Sequence, residues 1–412
     1  MTKYKSKYHL FDVTGIELEY MIVDRNSLNV LPVSDSILVN KNGSPVSSIE
    51  NGSITWSNEL VKHVIELKTS DPVSDFNHVA GDFHKNVIKV NELLMSQNAM
   101  LMSTAAHPFM NPYIETVIWD HDFSPIYTLY DQIFSCKGHG WSNLQSTHIN
   151  LPFSGDEEFG RLHAAIRTLV PILPALCASS PIVDMQPFGY LDSRMEMYKH
   201  NQERIPMIAG DIIPEPAFTR EDYEQLIFNP IEQAIKPFDR DGILDKYFLN
   251  SRGCIARFDR GAIEIRVMDV QESPAVDIAI ANLVVEVLKI LVSEKYSSYK
   301  AQKNINSEIL ISIMNRCIKD GENAVVDEQE YLALMGLTNS SVKSSSVWSQ
   351  LFDEVKLNLT SENRFMIQEL LKNGTLASRI LKSLNHDFSI QNLTETYKLI
   401  GSALKNNQMF IP

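Results

Sequence analysis

From Gly15 to Tyr20 the chain alternates strictly, with Ile16, Leu18 and Tyr20 on one side and Glu17 and Glu19 on the other. A period of two predicts a β-strand with one face turned to a core. Three later stretches divide in the same way. In 61–68, Ile65 and Leu67 oppose Val64, Glu66 and Lys68; in 146–151, Thr147, Ile149 and Leu151 oppose Ser146, His148 and Asn150. In 261–269, Ile263, Ile265 and Val267 oppose Glu264 and Arg266. Together the four stretches predict an antiparallel sheet whose aliphatic face packs on helices and whose other face holds acids, a histidine and an arginine. Glu59 lies seven residues before Glu66, so on one straight strand the two face opposite sides. It joins the polar face only if the chain bends at 58–60.

Helical spacing takes over elsewhere. Val79, Phe83, Val87, Val90 and Leu93 predict a helix over roughly 73–98, and a second is expected at about 155–178. From Pro274 onward the chain reads as almost entirely helical, with breaks near 299–306, 339–346, 372–374 and 385–387. Residues 40–55, rich in Asn, Gly and Ser, read as a loop or hairpin tip, and 185–215 as a long functional loop. The fold class is α+β: a sheet-bearing unit over 1–295 and a helical region over 296–412 packed on it.

Composition changes this picture in one direction. The 412 residues carry a net charge of -14 and show no basic patch, which excludes a nucleic-acid binder. The four cysteines are too widely spaced for a zinc or redox motif, and Cys177, in an apolar run, reads as a buried inert thiol. Met1–Lys5 lacks the apolar core of a signal peptide. The apolar stretch 275–292 carries Asp277, Glu286 and Lys289, so it reads as a buried helix and not a membrane span. The expectation is a cytoplasmic protein with no membrane partner.

Carboxylates gathered on one face must be protonated or neutralised by cations. Several glutamates with one imidazole suit Mg²⁺, or Mn²⁺, and not zinc's usual ligands. An arginine beside them can fork onto phosphate oxygens, so the face suits phosphoryl chemistry from ATP. There is no GxxxxGK[ST] loop and no kinase glycine-rich loop, so a nucleotide would be held another way. A solvated acidic sheet face is the competing reading.

These residues also resemble a known family. Gly15-Ile16-Glu17-Leu18-Glu19-Tyr20 with Val23-Asp24 is similar to the opening motif of the glutamate–cysteine ligase type 2, or carboxylate–amine ligase, family. The likeness continues through Glu59, Glu66-Leu67-Lys68-Thr69, Ser146-Thr147-His148-Ile149-Asn150 and Ser179-Ser180-Pro181. It goes on with Gly189-Tyr190-Leu191-Asp192-Ser193-Arg194, Ile263-Glu264-Ile265-Arg266-Val267-Met268-Asp269 and Gly374-Thr375-Leu376-Ala377-Ser378-Arg379.

The resemblance implies a glutamine-synthetase-like funnel of antiparallel strands backed by helices. It implies ATP-dependent phosphorylation of a side-chain carboxylate, usually glutamate's γ-carboxylate, followed by attack of an amine. Glu17, Glu19, Glu59, Glu66, His148 and Glu264 would be metal ligands, and Arg266, with Glu264 beside it, would face the γ-phosphate. Arg194 and Tyr190 are the expected substrate contacts, against a surface ion pair for the arginine and simple packing for the tyrosine. Two departures stand out. Ala262 replaces a usual threonine, and Arg252, Arg257 and Arg260 compete for one upstream arginine position. The partners implied are an amino acid and an amine, with the amine's identity and any homo-oligomer left open. The alternative is a non-catalytic nucleotide- and metal-binding relative with a regulatory role; its mark would be a lost metal carboxylate, and all are present here.

Overall fold

A computed structural model describes residues 7–412; Met1–Lys5, read above for a signal peptide, lie outside the described residues. Ten strands organise the first two thirds of the chain: β1 (Gly15–Asp24), β2 (Ser48–Asn51), β3 (Ile54–Asn58), β4 (Val64–Thr69), β5 (Ala99–Met102), β6 (Ser146–Pro152), β7 (Ile182–Val183), β8 (Gln186–Pro187), β9 (Cys254–Arg257) and β10 (Ala262–Asp269). Eight form one sheet in the order β2-β3-β4-β1-β6-β10-β9, with β5 pairing the far half of β1, while β7 and β8 make a separate hairpin. Every pairing in the large sheet is antiparallel.

The expected aliphatic face is the core. Ile16, Leu18, Tyr20, Ile65, Leu67, Ile149, Leu151, Ile263 and Ile265 are all essentially inaccessible to water. Helix Pro274–Val292 and helix Val79–Leu94 pack together behind this sheet, and helices Gly155–Leu169 and Ser361–Asn373 pack on the first of them. One contiguous apolar cluster runs from Ile16 to Leu404. The 275–292 stretch is thus a core helix, and its Asp277 reaches the underside of β6, where Oδ1 accepts from Thr147 Oγ1 (2.6 Å) and from the Gln271 N–H (3.0 Å). Among the described residues no helix is long and apolar enough to cross a membrane.

Several boundaries differ from expectation, each for a local reason. Residues 40–55 are not all loop: β2 and β3 form a hairpin turning at Gly52, whose φ of 73° suits glycine. The polar composition hides the buried Ile54 and Trp56. Helix 155–178 ends at Leu169 as a regular helix, because Pro171 and Pro174 remove donors and restart the turns. The motif near the end of the chain is structural: Thr375 caps helix Leu376–Leu384 by accepting from the Ser378 N–H, and Arg379 is buried in an ion pair with Glu272.

Candidate active site

The polar face of the sheet is assembled by register. Glu17 lies across from Lys68 of β4 and His148 of β6, Glu19 across from Glu66, and Glu264 across from Asn150. Opposed residues in antiparallel strands share a face, so four strands deliver their polar side chains to one place.

Carboxylate or imidazole atoms of Glu17, Glu66 and His148 lie within 4.8 Å of one another. His148 Nδ1 lies 3.1 Å from Glu17 Oε2, in hydrogen-bond contact, and 3.7 Å from Glu264 Oε1, while Nε2 shares a hydrogen bond with Ser146 Oγ (2.8 Å). Ser146 in turn donates through its N–H (2.7 Å) and its hydroxyl (3.0 Å) to Glu19 Oε2. The acids around His148 favour the imidazolium form, which must give up a proton to offer a lone pair.

The electrostatics are those of acids short of positive charge. Burial pushes Glu66 up to about 7, with Glu17's charge adding to the shift against the pull of Lys68. Burial and the charges of Glu19 and Glu66 push Glu59 well above the carboxylate range. Burial acts on Glu17 in the same sense, but the hydrogen bond and charge of His148, with Lys68, hold it well below that range. Burial works against charge on His148, yet Glu17, Glu19 and Glu264 raise its pKa. The Lys68 ammonium, 2.5 Å from Glu66 Oε1, supplies part of the missing charge.

Glu59 reaches this face by a simpler route than a bend. It follows β3, and β3 and β4 are two arms of one hairpin, so its distance along the chain from Glu66 does not set their relative facing. Ser57 opposes Glu66 and donates to it (2.6 Å), and Glu59, two residues on, continues the same side. It lines, with Glu19, His148, Arg194, Tyr127 and Arg266, a cavity of ≈190 Å³.

Arg266 Nε is 2.9 Å from Glu264 Oε1. Beyond it β10 bulges: Ile265 pairs Ile149, but Met268 pairs Thr147, so three residues advance against two. The extra residue brings Asp269, which simple alternation places on the aliphatic side, opposite Ser146 on the polar side. Asp269 is a residue the sequence reading did not single out. Its Oδ1 accepts from Arg194 Nε (2.5 Å), and its Oδ2 accepts from the Ser179 N–H and the Ser180 hydroxyl (both 2.8 Å). Arg194 is accordingly no surface arginine: it is 2% exposed, with its two terminal nitrogens only 3.3–3.4 Å from the Arg266 carbonyl.

Tyr190 lies apart from this cluster, in the wall of a neighbouring cavity. Of the three upstream arginines, Arg252 is buried against Glu215 (2.5 Å), and Arg260 is mostly exposed. Arg257 pairs Asp259 (2.8 Å) and lies across from Ala262, on the side that carries Glu264.

The sequence profile of glutamate-cysteine ligase family 2 matches residues 13–303, and the chain belongs to that family. An uncharacterized protein of Archaeoglobus fulgidus is 29% identical over 399 residues, 96% of this chain and 100% of its own. The glutamate–cysteine ligase of Francisella tularensis, solved in complex with AMP, has the same fold, with a TM-score of 0.62 at 15% identity over 98% of this chain and 90% of that one. A bifunctional glutathione synthetase from Pasteurella multocida superposes with a TM-score of 0.59 at 11% identity; the match covers 95% of this chain and 52% of the larger protein.

Proposed function

We propose that the protein is an ATP- and Mg²⁺-dependent ligase that activates an amino acid's side-chain carboxylate, that of glutamate first among candidates, and joins it to an amine. The observation that carries this reading is the convergence of Glu17, Glu66 and His148 from three strands, with Glu264 and Arg266 on a fourth. Oxygen donors with one imidazole, packed closely enough to raise Glu59 and Glu66, fit a hard divalent ion. Glu17, Glu19, Glu59, Glu66, His148 and Glu264 would hold it, and when bound it neutralises triphosphate charge.

The chain's own groups do the rest. Arg266, oriented by Glu264, presents a planar cation to the phosphoryl group in flight. Arg194, its Nε held by Asp269 and its terminal nitrogens sharing long hydrogen bonds to the Arg266 carbonyl, offers their remaining N–H groups to a substrate carboxylate at the cavity wall. In the first step a carboxylate oxygen forms a bond to the γ-phosphorus as the bond to ADP breaks. In the second, the amine nitrogen attacks the acyl carbon, loses a proton, and inorganic phosphate leaves with the carboxylate's oxygen.

That oxygen is the test. With the donor's side-chain carboxylate labelled in ¹⁸O, released phosphate should carry one labelled oxygen for each amide formed, with ADP as the other product. Unlabelled phosphate would mean that water attacks ATP directly. AMP with pyrophosphate would mean adenylation. Either result overturns the mechanism.

A further inference from the structure

Beside the carboxylate cavity lies a larger one of ≈450 Å³. The two share Gly140, Trp141 and Asn201 as a common wall. In that wall Gly140 and Asn201 are in direct contact: a Cβ at residue 140 would fall 1.7 Å from Asn201 Oδ1, and the Asn201 amide donates to the Gly140 carbonyl. The outer cavity is faced by five aromatic rings, those of Tyr113, Phe134, Trp141, Phe188 and Tyr190.

These rings are held in place. Trp141 meets Tyr130 edge-on at 5.2 Å and Phe134 at 5.8 Å. Phe188 follows β8 directly and lies 6.0 Å from Tyr190. The β7–β8 hairpin turns through Asp184 and Met185, with φ of 52° and 61°, a left-handed conformation that non-glycine residues seldom adopt. It is kept there from outside: the Met185 N–H donates to the Pro108 carbonyl (2.8 Å), and Asp184 pairs with His139 of the cavity wall (3.2 Å). Strain of this kind persists where the surroundings over-determine it, and it concentrates at ligand sites. Even so, Phe188 is 41% exposed and Tyr113 74%, so a broad aromatic surface faces an open space.

The charged groups of this cavity already have partners. Glu196 is bound by Lys199 (2.8 Å) and lies 3.6 Å from His200, and His139 is taken by Asp184. The surface left for recognition is therefore the rings. Their space falls in the range of ~300–1,000 Å³ typical of pockets for larger ligands. Cysteine, small and polar, would leave most of this surface uncovered.

Resting on the ligase reading above, we infer that the outer cavity receives the acceptor amine, and that this amine carries an aromatic ring. The ring would stack among Trp141, Phe188 and Tyr190, and the amino group would reach the activated carboxylate once the Asn201 side chain turns away from Gly140. Tyr190 then contacts the acceptor and not the acyl donor.

The test uses the full chain with ATP, Mg²⁺ and glutamate, and offers 2-phenylethylamine, putrescine or cysteine at equal concentration, with the amide identified by mass. The aromatic amine should be used with kcat/KM about 10-fold or more above either competitor. Phe188→Ala and Tyr190→Ala should each raise its KM by about 2- to 10-fold, the worth of one aromatic contact, with kcat and the KM for ATP largely retained. A preference for cysteine or for putrescine would overturn the inference, as would variants with an unchanged amine KM. Should no amide form with any amine, the ligase reading falls, and calorimetric titration of 2-phenylethylamine still decides the cavity. Binding that weakens in Phe188→Ala keeps the aromatic-amine site; no measurable heat removes it.

Discussion

Asp277 offers a perturbation whose size follows from the structure. It is 1% exposed beneath β6, and burial pushes its carboxyl up to about 8 from 3.8, against hydrogen bonds from Thr147 and Gln271 that favour ionisation. The folded chain thus holds a proton that the unfolded chain releases. For a group raised in this way, stability is fully present below about pH 3.8 and is lost as pH climbs through 8. Between pH 6 and pH 8 the loss is about 1.4 kcal/mol per pH unit, or about 3 kcal/mol, and above 8 it levels off. Asp277→Asn removes this slope. The amide oxygen can accept both existing hydrogen bonds, while its NH₂ takes the place of Oδ2, which has no partner. That orphaned donor costs about 1–3 kcal/mol at every pH, so it cancels when two pH values are compared. At about 2.1 cal/mol/K per residue, a chain of this length unfolds with roughly 0.9 kcal/mol/K of entropy, so 3 kcal/mol corresponds to about 3 °C. Differential scanning fluorimetry of both proteins at pH 6 and pH 9 gives the comparison. Relative to wild type, the variant should gain about 3 °C on going from the lower pH to the higher. A difference in Tm that stays constant with pH would refute the claim that this carboxyl is buried as the neutral acid.

The remaining predictions concern the site. Glu17→Gln and Glu264→Gln should each reduce Mg²⁺-dependent turnover by about 10²-fold or more and shrink the rise in Tm on adding Mg²⁺, measured with the same dye. Near-normal rates in both would end the metal-site argument. Arg266→Lys keeps the charge but loses the fork, so kcat should fall by about 10²-fold with ATP affinity changed far less; equal loss in affinity with kcat intact would make the arginine a ground-state anchor. Asp269→Asn strips Arg194 of its buried counter-ion and should destabilise the fold by about 3–5 kcal/mol in urea titration, with Arg194→Met in the same chain restoring part of the loss. No recovery in the double variant would show that Asp269 acts through Ser179 and Ser180 instead.

Much of the sheet was legible because alternation of apolar and polar residues is a direct consequence of strand geometry. It gave β6 and β10 nearly to the residue, the first part of β1, and put Glu17, Glu19, Glu66, His148 and Glu264 on one side. Two failures have physical causes. Ile54-Thr55-Trp56-Ser57 alternates as clearly as β1 does, and Asn51-Gly52 marks its turn, but the surrounding Asn, Gly and Ser masked the strand. With β3 read as loop, Glu59 had to be judged by parity along one strand that does not exist. Asp269 was hidden for another reason: a bulge shifts the phase of a strand by one residue without any change of composition. Arg194 carried no sign of its burial, since its partner is 75 positions away along the chain. The wall shared by the two cavities, made by Gly140 against Asn201, is likewise a product of the fold alone.

The order of strands in the sheet has a consequence in time. β1 sits at the centre, yet its neighbours arrive at very different moments: β4 follows within a few tens of residues, β6 much later, and β10 begins about 250 residues after it. At synthesis rates of about 5–20 residues per second, that last interval is on the order of 12–50 s. For about the first half of it, until β6 is made, the nascent chain can form only the β2-β3-β4-β1 part of the sheet with β5, so the hydrogen-bonding edge of the first half of β1 stays open, and its aliphatic face lacks helix Pro274–Val292 throughout. An open edge beside uncovered apolar surface is a template for pairing with another chain. The acidic residues of β1 and β4 then have a second effect, before any chemistry: mutual repulsion between copies makes the half-built sheet a poor partner for itself. The charge gathered on this face is, during synthesis, a guard against aggregation.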